Sequence, residues 1–293
     1  MAIITTELEQ LAPMPDFSEA DWPSYLYLLL FALNTAAICW LADGWYCAGF
    51  VLLQGCFLVG MLELTHQAVH RRFVLAPAIN EWVGSLAAAL IGLNLTAYRH
   101  FHLEHHRHTC DESDPEGLLY AGSPATRWFW LGAPIAHLVV AWEINGLASR
   151  YVPASRRTEW MKSNGFMALV LVGLLVWAAF SPRSFLLAYV VPMCLFGWID
   201  FLFSQAEHFA APVRPVDARI NVANVTLDVR LPRWLSHLLL NRNLHRVHHV
   251  WPRTRWFEAP GFLPTLDATQ PGRVVSLPEF TVRWFRQGPR LWQ

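Results

Sequence analysis

Four apolar runs, arranged as two back-to-back pairs, restrict this 293-residue chain more than any other feature in it. Tyr25 to Leu41 and Tyr46 to Leu64 are nearly free of charge, and each approaches the roughly 20 residues that cross a bilayer core. Phe166 to Phe180 and Phe185 to Phe203 form the second pair, separated only by Ser-Pro-Arg-Ser, which can turn but cannot form a domain. The third run is short and draws on Asn164 and Gly165 to reach both interfaces. Four such runs in a chain this size are hard to bury as helices of a soluble core. The expected fold is an all-α integral membrane protein of two transmembrane hairpins, four spans in all, with the remaining segments forming a helical cap.

Two hairpins put the N-terminus, the long middle segment and the C-terminal segment on one side. Of 22 Lys and Arg, nine fall between Arg71 and Lys162, twelve follow His208, and only Arg183 lies in a turn. That asymmetry is the positive-inside pattern, so the termini and the cap are expected to be cytoplasmic, as in a bacterial inner-membrane protein. Met1 to Glu7 has no basic stretch leading into an apolar one and reads as retained, not as a cleaved signal. Trp82 to Ala97 and Trp128 to Trp142 are apolar enough to be helical but read as interfacial. One of them crossing alone would split the chain's histidines between two sides, so either neither crosses or both do. Many of the 15 tryptophans sit near run ends and read as interfacial anchors. No linker or repeat divides the chain, and residues 1–293 read as one unit.

Composition removes several function classes. Net charge is zero and no basic tract is interleaved with aromatics, so a nucleic-acid partner is not expected. Cys39, Cys47, Cys56, Cys110 and Cys194 include no CxxC pair, which argues against a disulfide framework or a Cys-based metal site.

Eleven of the 13 histidines fall in four short places at or beyond the ends of apolar runs. His66 and His70 follow the second run as HxxxH, one helical turn apart on one face. His102, His105 and His106 form HxxHH, and the same spacing recurs as His245, His248 and His249. His208 closes the fourth run. Nine imidazoles exceed what one ion coordinates, so two metals are the economical count. Imidazole suits zinc, copper, iron and nickel, while closed zinc sites take four ligands, usually with Cys, and no Cys lies within a box. His137 and His237 each stand alone in an apolar stretch and read as structural; His100 and His108 flank the second box and read as supports for its ligands.

These boxes resemble the membrane fatty acid desaturase superfamily of desaturases, hydroxylases, ketolases and acetylenases. The similarity extends to His106-Arg107-His108-Thr109 running into Ser113-Asp114-Pro115, and to Asn241-x-Asn243-x-His245 with Pro252 and Trp256. The resemblance implies a di-iron centre held by His66, His70, His102, His105, His106, His208, His245, His248 and His249, with O₂ as co-substrate and an acyl or similar lipid chain as substrate. It implies an oxidoreductase that oxidises an unactivated C–H bond, most simply by desaturation, with hydroxylation, ketolation or acetylenation as alternatives. Asp200, Ser204, Glu207, Asn241 and Asp114 are the residues expected to support the ligands from behind, and Asp111 is a further candidate. Glu112 reads as a solvated loop acid. Some superfamily members carry Asn four residues before the ligand matching His208; this chain has Ser204, so Ser204, Gln205 and Glu207 are alternative supports there. Asp200, in the fourth run, is expected near its cytoplasmic end or paired. No haem, flavin or Cys-cluster segment is evident, so electrons are expected from a separate donor such as a ferredoxin. The rival from another class, a metal-transporting membrane protein, calls for ligands inside the spans, and these lie at their ends.

Overall fold

The computed structural model describes residues 19–41, 44–117, 127–216 and 222–290, so the expectation for the first residues lies outside the described ones. Four helices are long and apolar enough to cross a membrane. They are α1 (Trp22–Leu41), α2 (Cys47–Val69), α6 (Arg157–Phe180) and α7 (Pro182–Glu207). The third extends well before Asn164, which gives it the length the apolar run alone lacked. Its apolar side chains stay outside the protein, with Leu169 at 66% and Phe180 at 85% exposure, a surface that lipid covers at no cost and water does not. In α7 a π turn, Leu186–Val190, ends two residues before Pro192, which has no N–H for the α-helical hydrogen-bond ladder.

All four spans have their histidine-bearing or histidine-facing ends together. At the opposite end Ile38 of α1 packs with Cys47 and Val51 of α2 and Ala188 of α7. Midway, Asn34 Nδ2 donates to Gln54 Oε1 at 2.6 Å and Gln54 Nε2 donates to Thr35 Oγ1 at 2.8 Å, which links three polar side chains between the two helices.

The run Trp82 to Ala97 is not one helix. It breaks into α3 (Pro77–Leu90) and α4 (Leu95–His108), which meet at 95°. Gly92 takes φ +81, a left-handed conformation that favours glycine. Asn94 then caps α4 by accepting from Ala97 N at 2.9 Å, while its Nδ2 donates to Asn164 Oδ1 at 2.6 Å. Asn145 ties the same corner to α5 (Ala133–Ala148), donating to Gly92 O and accepting from Asn94 N. The bend turns the second histidine box back towards the end of α2, so the pair does not separate the boxes.

Beyond α7 the chain forms α8 (Val222–Val225), β1 (Leu227–Arg230), α9 (Arg233–Leu238), α10 (His245–Val250), α11 (Ala259–Thr269), β2 (Arg273–Ser276) and α12 (Leu277–Gln287). The two strands pair in parallel, Leu227 with Arg273 through Arg230 with Ser276, a small departure from an all-helical fold. This region packs over one end of the spans. Tyr27 Oη donates to Leu238 O at 3.1 Å, Trp256 Nε1 to Ser24 Oγ at 3.1 Å, and Trp284 Nε1 to Gln205 Oε1 at 3.2 Å. Arg246, fully buried, holds Asp228 through its backbone N–H at 2.8 Å and its Nε at 3.2 Å, locking α10 against β1.

Candidate metal centre

Each histidine box sits where helix geometry aims it at one place. The last turns of α2 carry His66 and His70, α4 carries His102, His105 and His106, and the six-residue α10 carries His245, His248 and His249. His208 follows the last residue of α7. The nine rings separate into two sets whose ligand atoms lie within 4.8 Å of one another. His66, His70, His102, His106 and His248 form the first; His105, His208, His245 and His249 form the second.

Within the sets the Nε2 atoms are unusually close. His66 and His102 approach to 2.8 Å, His102 and His70 to 3.1 Å, and His106 and His248 to 2.8 Å. In the second set His105 and His249 lie 3.3 Å apart and His208 and His245 3.1 Å. Ligands about 2.0–2.1 Å from one ion stand roughly 3.0–3.4 Å from each other, so these spacings suit metal coordination.

The tautomers sharpen the point. His66 Nδ1 donates to Glu63 Oε2 at 3.0 Å, His105 Nδ1 to Asp114 Oδ2 at 2.9 Å, and His208 Nδ1 to Val225 O at 3.1 Å. A neutral ring that donates from Nδ1 has a bare lone pair on Nε2. His102 Nε2 lies within 3.1 Å of the Nε2 atoms of His66, His70 and His106, and one ring N–H can donate to only one of them, whereas a cation would satisfy all four. The residues present fit a pair of imidazole-bound metal ions.

Burial keeps most of the metal-free rings neutral. His70, His102, His106, His245, His248 and His249 are held well below the usual imidazole range, by burial first and by neighbouring imidazoles second. His208 is pushed down to about 3 by burial and by His105. His105 goes the other way: burial opposes its charge, but Glu116 and Asp114 raise it to about 9. A metal must displace that proton, and the same two carboxylates then offset the metal's charge.

The supporting residues divide. Asp114 holds His105, and its carboxylate is fully buried. Glu207 lies 4.0 Å from His245 Nδ1 and 3.1 Å from Arg242 Nη2. Asp200 touches no ligand ring: it pairs with Arg242 at 3.0 Å and stands 3.7 Å from His137 Nδ1. Ser204 Oγ accepts from Arg242 Nη2 at 3.2 Å. Asn241 accepts from Ser236 Oγ and donates to Trp256 O, so it shapes the turn before α10 and does not hold an imidazole. Asp111 accepts from His108 Nδ1 at 3.0 Å, and neither belongs to the two sets.

Sequence reasoning passed over Glu63 and Glu116. Glu63 had a legible signal, an acid in an apolar run three residues before a box histidine. Glu116 lies 3.8 Å from His105 Nδ1 and 3.9 Å from His102 Nδ1, a placement made by the loop after α4 and invisible in spacing. His137, read as structural, donates from Nε2 to Ile91 O, stands 3.7 Å from Asp200 through Nδ1, and lines a cavity beside the centre.

A family model described as fatty acid desaturase matches residues 43–280, most of the chain and all four histidine places. The chain belongs to the fatty acid desaturase family. No curated protein matches it. Family and site together define an oxidoreductase with histidine groups able to hold metal.

Proposed function

We propose that this chain is a membrane enzyme that holds two iron ions in its nine-histidine centre and uses O₂ to desaturate a lipid-like chain. The observation that carries the reading is the pair of imidazole sets whose Nε2 atoms converge at 2.8–3.3 Å. Bound iron would supply the oxidising power for an unactivated C–H bond. In the balanced reaction two vicinal C–H bonds are lost, a C=C bond forms, and O₂ takes up four electrons and four protons to give two waters. Two electrons and two protons come from the substrate, two electrons from a separate one-electron carrier of the ferredoxin class, and two protons from solvent.

The chain's own contribution is positional. Glu63, Asp114 and Val225 O fix ring orientation, burial keeps most of the rings neutral and ready to bind metal, and the α3–α4 bend brings two boxes onto the end of α2. The basic residues favour a cytoplasmic centre in a bacterial inner membrane. Ligands at span ends, not within them, speak against metal transport. Hydroxylation and ketolation need the same centre and differ in what leaves it.

Elemental mass spectrometry of purified protein tests the metal. Near two irons per chain, falling in a His248→Ala, His249→Ala double variant, is the expected result; zinc in well-folded, fully loaded protein overturns it. Product mass after supply of lipid and an electron donor then reads the outcome, a loss of two hydrogens for desaturation and a gain of oxygen for hydroxylation.

A further inference from the structure

The cavity beside the metal centre exposes more apolar than polar surface, but its polar part carries groups that the middle of a plain hydrocarbon chain would leave without a partner. His66 and His102 of the first set and His245 of the second form part of its wall, so it opens on both halves of the centre. Leu62, Leu93 and Ile144 supply an apolar side. Beside His137, the remaining lining is hydrogen-bonding: Tyr98, Glu116, Asp200, Ser204, Glu207 and Arg242.

These polar groups are not equally committed. Arg242 is engaged by Asp200 at 3.0 Å and Glu207 at 3.1 Å, which balances those charges within the wall. Ser204 Oγ accepts from Arg242 and stands 3.5 Å from Asp200 Oδ1. The Glu116 carboxylate, by contrast, makes no hydrogen bond to a described residue and approaches the rings of His102 and His105 only at 3.9 and 3.8 Å. The hydroxyl of Tyr98, whose ring stacks on His102, is likewise without a hydrogen-bond partner among the described residues. Filling this space with methylenes would desolvate a carboxylate and a phenol and return no hydrogen bond to either. A hydroxyl group would donate to Glu116 and accept from Tyr98, replacing the water it displaces.

We propose that the chamber takes the hydroxyl-bearing end of an amphiphile, so that the oxidised carbon lies a few bonds from that hydroxyl and the apolar remainder leaves along Leu62, Leu93 and Ile144. This rests on the metal-centre reading above and names its substrate class. It places selectivity in Glu116 and Tyr98 as positioning residues.

Photolabelling of the purified full-length protein in nanodiscs tests it without requiring turnover or metal. Two dodecanol probes are used, one with a diazirine beside the hydroxyl and one with it at the methyl terminus. The expected result is that the first labels the chamber residues and the second does not. Glu116→Gln and Tyr98→Phe, which keep side-chain shape, should each raise the concentration needed for half-labelling about tenfold, the worth of one hydrogen bond to a charged or strongly polar group. Labelling of the chamber by the methyl-end probe, or by neither, overturns the proposal. Failure of the di-iron reading appears separately, as absent iron or absent oxidation product.

Discussion

His105 Nδ1 lies 3.0 and 2.9 Å from the two oxygens of Asp114, and the same carboxylate receives the backbone N–H of Cys110 at 2.8 Å and of Glu116 at 3.0 Å. One buried side chain thus holds both the His105 ring and the path of the loop behind it. Asp114→Asn keeps the shape but removes the charge that favours an inward lone pair. Its metal affinity should fall about 10–100-fold, the usual cost of losing such an outer partner, measured by chelator competition. Unchanged affinity would show that Asp114 serves the loop alone.

The two imidazole sets are unequal, five against four. His70→Ala leaves its set four rings, whereas His208→Ala leaves three. Bound metal per chain should therefore drop further in His208→Ala than in His70→Ala. Equal losses would mean that the ions do not divide the ligands this way.

Metal-free protein should weaken in acid. An unfolded imidazole titrates near 6.5, whereas His208 in the fold titrates at about 3 and the six other lowered rings follow the same direction. Between those values the unfolded chain binds more protons, so this stabilisation is complete above about pH 6.5 and is lost as pH falls towards 3. His105 has the opposite sign: its contribution is complete below 6.5 and is lost as pH rises through about 9. Thermal unfolding followed against pH should show a steep acid limb and a shallow alkaline one, and an acid-stable apo form would contradict the burial argument.

Arg242→Met leaves Asp200 and Glu207 buried without their cation, which should cost about 3–5 kcal/mol of stability. Adding Asp200→Asn and Glu207→Gln to it removes the stranded charges and should restore much of the loss. Thermal unfolding of the single and triple variants distinguishes this charge balance from simple packing, for which the triple variant would be no better.

Much of the architecture was legible because its cause is local. A run of apolar residues near bilayer length is a helix in lipid whatever surrounds it, since no water there satisfies a bare backbone. HxxxH and HxxHH place rings on one face by helix geometry alone. The α3–α4 corner was not legible: Gly92 and Asn94 are visible signals, but the asparagines that hold the turn come from α5 and α6, 51 and 70 residues further on. The short parallel strands escaped for the same reason, since four-residue segments far apart in a Pro- and Arg-rich tail carry no periodicity.

By itself, then, the sequence determined four apolar helices, their pairing into hairpins, and nine histidines at the ends of helical faces. Only the tertiary structure decided how those nine divide into two sets, that Glu63 and Val225 bond to rings of the sets while Asn241 does not, and that a cavity bears on both sets. Helical periodicity acts over a few residues, whereas coordination and cavity lining depend on which distant segments the packing brings within about 3 Å of one another.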